Sequence, residues 1–137
     1  MQVNRTLKDG EMDNIDHALG RPVDPLAETF RNHFYTGLGT PEADEFAASP
    51  CWRMGRRVGG SAYFHVTRHG REVLKAHLRE IGDKSRLYEI TWKGEALSPV
   101  VATNRREARY RKWLAVSDTC DVSFIEFAKA ITVRLAS

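Results

Sequence analysis

At 137 residues, 42% hydrophobic and 28% charged, the chain suits one domain or two small lobes and is too apolar for disorder to be its default state. No apolar run approaches the roughly 20 residues that span a bilayer. The polar start MQVNRTLKDGEMDN lacks the apolar core of a signal peptide, so a cytoplasmic protein without a membrane partner is expected. The net charge of +3 is unevenly spread: −5 over residues 1–50, +5 over 51–80 and +4 over 104–112. Such asymmetry points to a polyanion partner, or to acidic and basic surfaces that meet in a homodimer or on a second protein. Solvated faces that keep the chain soluble are the plain alternative.

Residues 1–11 read as a flexible lead-in, and Met12–Leu19 as a short helix stopped by Gly20. Asp24 and Pro25 suit the cap and first position of a second helix. That helix is predicted over Pro25–Tyr35, with Leu26, Phe30 and Phe34 as its core stripe. Thr40-Pro41 opens another helix by the same device, and Ser49-Pro50 stops it. Glu42, Asp44 and Glu45 crowd its positive end. It stands where a recognition helix would stand, yet it carries three acids and no base, which opposes approach to phosphates.

Cys51–Ile81 reads as a basic β-hairpin feeding an amphipathic helix. Arg53, Arg56 and Arg57 precede the tight turn Gly59-Gly60. Ala62, Phe64 and Val66 alternate with Tyr63 and His65, placing the first set toward a core and the second toward solvent. Thr67 starts the helix, whose stripe is Val73, Leu74, Leu78 and Ile81; Gly70 lies in its first turn, where glycine costs least. Arg68, Arg71, Lys75 and Arg79 fall on its outer side.

Strands are predicted over roughly 86–92 and 97–103, the second irregular at Pro99. Asn104 with Glu107, and Ser123 with Glu126, are capping boxes that open two helices. On the first of these, Arg105, Arg109 and Lys112 are predicted on one basic side, with Tyr110, Trp113 and Leu114 largely opposite. Ile131, Val133 and Leu135 alternate as a closing strand. The expected fold is therefore α+β: a winged-helix-like lobe with a basic β-hairpin over 1–83, and a small ββααβ lobe over 84–137. Contact is expected between the apolar faces of 73–81 and 88–92.

The strings DHALGRPVDPLAETFRNHF, SPCWRMGRRVGGSAYFHVTRHGREVL and VVATNRREARYRKWLAVSD, with SFIEFAKAITVR near the end, resemble small prophage-borne proteins of proteobacteria. That likeness covers most of the chain. It implies a phage or mobile-element accessory role in a bacterial host, and no activity. Separately, YFHVTRHGREVL is similar to the strand–Thr–x–x–Gly–helix close of many winged-helix regulators.

Chemistry-bearing constellations are sparse. His65 and His69 straddle a strand–helix junction and would not share a helical face as zinc ligands do. His33 and His77 read as polar or boundary positions. Cys51 and Cys120 lack CxxC spacing and read as free thiols of a reducing compartment. Phosphate-binding glycine loops are absent. No catalytic residue, metal or cofactor is assigned.

Two functions remain. The first is binding of DNA or RNA, with Arg53, Arg56, Arg57, Arg68 and Arg71 on phosphates beside the hairpin and Arg105, Arg109 and Lys112 as a second phosphate-contacting face. Tyr63 or Trp52 would stack on bases of a single strand, packing being the plainer role for both. The second is a protein-interaction module acting on a host or phage protein complex through Glu42, Asp44 and Glu45.

Overall fold

A computed structural model describes residues 3 and 5–136. The fold is α+β, with two antiparallel sheets. The chain divides into two compact units, one running to Asp83 and the other from Lys84.

The first unit runs α1 (Gly10–Ala18), β1 (Phe34–Gly37), α2 (Pro41–Ala48), β2 (Trp52–Val58), β3 (Ser61–Val66) and α3 (Arg68–Glu80). Its sheet has the order β1-β3-β2. Val58 pairs with Ser61, so Gly59-Gly60 forms the two-residue turn, and Gly59 takes the positive φ of +60° that such turns demand. Ala62, Phe64 and Val66 are buried, as their alternation predicts. Ile15 of α1 and Leu19 at its C-terminal cap, Ala43 and Phe46 of α2, and Leu74 and Leu78 of α3 close over them in one core. Phe46 stacks on Trp52 at 4.1 Å between ring centroids, so Trp52 is a packing residue. Each helix begins at a side-chain cap: Asp9, Thr40 and Thr67 accept from the amides of Met12, Ala43 and Gly70.

The predicted helix over Pro25–Tyr35 does not form. Asp24 accepts from the amide of Leu26 at 3.0 Å, which closes a turn instead of capping a helix. Backbone groups of this stretch then find partners across the fold. The carbonyls of Pro25 and Ala27 accept from Arg71, the amide of His33 donates to the carbonyl of Ala18, and Phe34–Gly37 joins the sheet. Asn32 extends that pairing with its side chain, accepting from the amide of Val66 at 2.7 Å and donating to its carbonyl at 3.0 Å. Phe30, expected in the core, is 75% exposed; its ring instead lies beside Gly20, where a Cβ would collide with it.

The lead-in is also anchored. Val3 donates to the carbonyl of Arg21, Leu7 is buried in the core, and Arg5 binds Asp16 and Asp83. The rest of that predicted lead-in, at residues 1, 2 and 4, lies outside the described residues. On α3 the core stripe stops at Leu78, and Ile81 is exposed.

Winged-helix detail does not follow from these elements. A helix-turn-helix joins two helices by a turn of three or four residues. Here α1 and α2 are separated by the Leu19–His33 stretch and by β1, and α2 is alone between β1 and β2.

The second unit runs β4 (Arg86–Trp92), β5 (Glu95–Ala96), β6 (Val100–Ala102), α4 (Arg105–Ser117), α5 (Phe124–Ala130) and β7 (Ile131–Leu135). β4 is central: β7 pairs along one edge, while β5 and β6 share the other. These two short strands replace the single strand predicted over 97–103, the break falling at Leu97–Pro99. Tyr88, Ile90, Ile131 and Val133 face Ala108 and Phe127 in the core. Both predicted capping boxes form at their first bond: Asn104 accepts from the amide of Glu107 and Ser123 from that of Glu126. Glu107 reaches back to the amide and hydroxyl of Thr103, and the Thr103 hydroxyl is the main reason its carboxyl lies below the ordinary range.

On α4 the predicted sides are rotated. Ala108 and Lys112 form the buried side, while Tyr110 and Leu114 are exposed. A small Ala108 lets the helix approach the sheet. The stem of Lys112 fills the space beside it while its ammonium donates to the Ser98 hydroxyl at 2.6 Å.

Candidate nucleic-acid interface

Which basic side chains are free decides where a polyanion can sit. Arg5 and Arg21 belong to a carboxylate network with Asp13, Asp16 and Asp83. Arg71 is half-buried, donating to the carbonyls of Pro25 and Ala27 and to the Thr29 hydroxyl, and burial pulls its pKa down. Lys75 pairs with Asp24 at 3.1 Å, and exposed Arg68 with Glu72 at 3.3 Å. The helix face predicted to touch phosphates thus mainly clasps the 24–29 loop. Lys112 is 9% exposed, and burial lowers its pKa; it leaves Arg105 exposed and Arg109 half-buried on α4 without it.

Arg53, Arg56 and Arg57 differ from the basic residues of α3. All three are exposed and make no ion pair among the described residues. Arg53 lies opposite His65 across the hairpin. Between the pairs Met54–Phe64 and Arg57–Ala62, β2 carries one extra residue, a β-bulge that sets Gly55 and Arg56 against Tyr63. Gly55 is required there because the His65 ring occupies the space a Cβ would take. The Nδ1–H of His65 donates to the carbonyl of Asn32 at 2.7 Å, which anchors the ring beside Gly55.

The face of the sheet opposite Phe64 is aromatic as well as basic. Tyr35 pairs with Tyr63 in register, their ring centroids 4.8 Å apart and tilted by 44°. His33 meets Tyr63 edge-on at 5.9 Å. Tyr35 is 50% exposed, and Tyr63 and His65 are half-buried. Partial desolvation, then the charges of Arg31, His65 and His17, hold His33 below the ordinary histidine range.

Sequence reasoning missed Tyr35 and His33 because it placed both on a helix. Their signal was the run His33-Phe34-Tyr35-Thr36-Gly37: aromatic and β-branched, alternating, and ended by glycine. Of the predicted acidic residues, Glu42 accepts from the Thr36 hydroxyl at 2.9 Å. Asp44 and Glu45 are exposed, Glu45 on an open cleft of about 650 Å³ shared with Glu11 and Asp13. No group of three or more His, Cys, Asp or Glu stands ready to hold a metal ion among the described residues, and no helix there is long and apolar enough to cross a membrane.

No protein-family model, curated protein or solved structure matches the chain. A functional reading therefore rests on the geometry of this face.

Proposed function

We propose that the protein binds nucleic acid through the β2–β3 hairpin and the adjoining sheet face. The observation that carries this is the set Arg53, Arg56 and Arg57, exposed and without an ion pair among the described residues, next to the pair of exposed Tyr35 and half-buried Tyr63. Arginines held this way serve phosphates, whereas most basic side chains of α3 already serve the fold. An accessory role in a phage or mobile element belongs to the same proposal and rests on the sequence likeness alone.

The test is fluorescence anisotropy with labelled single-stranded DNA, RNA and duplex DNA at low salt. Binding should weaken as salt rises, with a log–log slope near −2 for about three phosphate contacts to a single strand. Replacing any one of the three arginines by alanine should reduce the slope by roughly 0.7. Absence of binding to all three probes at low salt removes the proposal.

A further inference from the structure

We infer that the outer face of the β1-β3-β2 sheet is a base-stacking platform for single-stranded nucleic acid, with Tyr35 and Tyr63 as the stacking residues. The inference rests on the nucleic-acid reading above and names the kind of strand and the way it is held.

Three observations converge on an unpaired strand. Tyrosine rings that reach the surface of a sheet offer stacking to bases whose faces are open, and bases inside a duplex are already stacked. The helix at the place of a recognition helix is unsuited to a major groove, since α2 stands alone and presents Asp44 and Glu45 to solvent. Finally, the arginines border the aromatic pair: Arg53 lies across from His65, and the bulge sets Arg56 against Tyr63. A backbone running along β2 would place its phosphates on Arg53 and Arg56 while its bases turn inward over Tyr63 and Tyr35; Arg57, paired with Ala62, lies beyond the bulge toward the hairpin tip. Asn32 and Gly55 anchor the His65 ring beside that path. Any base has a π-face, so the platform should tolerate many sequences.

The test compares the full chain with Tyr35→Ala, Tyr63→Ala and the matching Phe variants. The probes are a labelled oligothymidylate of about a dozen nucleotides and a duplex of equal length. Wild type should prefer the single strand. Each Ala variant should lose about 5- to 100-fold on the single strand and little on the duplex, while the Phe variants keep most of the affinity. Because the two rings pack on each other, Ala variants can also lose stability. Photocrosslinking of the wild type to a 5-iodouridine oligonucleotide avoids that, and Tyr35 or Tyr63 should carry the adduct. If the Ala variants bind the single strand like wild type while Arg53→Ala weakens it, stacking is overturned and nucleic-acid binding stands. Adducts confined to other residues overturn stacking in the same way. If polyglutamate displaces the oligonucleotide as well as unlabelled oligonucleotide does, the face is a general polyanion surface and stacking is again overturned. If the wild type binds no probe, both readings fall together.

Discussion

Gly70 sits against the carbonyl of Cys51. A Cβ at position 70 would stand 2.5 Å from that oxygen and 2.7 Å from Cγ1 of Val66. The same carbonyl accepts from the amide of Thr67 at 2.9 Å, and the Thr67 hydroxyl donates to the carbonyl of Pro50 at 2.7 Å. Thr67 also caps α3 by accepting from the amide of Gly70. Threonine and glycine three residues apart thus dock the start of α3 on the start of β2. Glycine stands at position 70 because the backbone passes too close for a side chain, a stronger requirement than its place in the first turn suggests.

Gly70→Ala should therefore destabilise the protein by about 1–3 kcal/mol, the usual range for overpacking. Gly10, the first residue of α1, has open space where its Cβ would be. Gly10→Ala should stabilise by roughly 0.4–1 kcal/mol through the unfolded chain. Urea midpoints of the two variants should move in opposite directions.

Asp16 is fully buried and accepts from Arg5 at 2.6 Å and from Arg21 at 3.2 Å. Asp16→Ala leaves two guanidinium groups facing a buried void and should cost about 3–5 kcal/mol. Thermal melts should show a fall of many degrees, or no cooperative transition at all.

Asp13 next to it gives a pH dependence. The hydrogen bond from Arg21 holds its carboxyl below the ordinary range, with help from the amide of Leu7 against a burial effect of opposite sign. Its folded pKa is thus lower than its unfolded one. The stabilisation is complete above about pH 4 and is lost as pH falls through the folded value. Denaturation at neutral and acid pH should show this loss, and Asp13→Asn should flatten it while lowering neutral-pH stability by about 1 kcal/mol.

Lys112 separates charge from function. Methionine keeps the stem and removes the buried ammonium, so Lys112→Met should change stability by less than about 1.5 kcal/mol. Its affinity for any oligonucleotide should match wild type, because Lys112 lies on the buried side of α4. A large loss of affinity at unchanged stability would mean that this ammonium reaches the ligand.

Much of the fold was legible where local chemistry and tertiary pairing agree. Gly59-Gly60, the alternation from Ala62 to Val66, and the caps at Thr40, Thr67, Asn104 and Ser123 all behave as their residue types require. The Leu26–Phe30–Phe34 spacing misled because i, i+4, i+8 fits a helix, while the partners of that stretch, Arg71 on its backbone and Val66 on the Asn32 side chain, lie about 40 residues on and leave no local trace. The site was half legible for the same reason. Charge counting finds Arg53, Arg56 and Arg57, but it cannot tell them from Arg71 or Lys112, whose engagement depends on the loop at 25–29 and on Ser98. The tyrosine pair becomes visible only when β1 is recognised as a strand in register with β3.

The most direct measurement is an amide chemical-shift titration of the labelled protein with a short single-stranded oligonucleotide. Shifts should concentrate on β1, β2 and β3, at Tyr35, Arg53, Arg56 and Tyr63, with α2 and the Lys112 side of α4 unmoved. Shifts confined to α3 or α4, or no shifts at low salt, would contradict the sheet face as the binding surface.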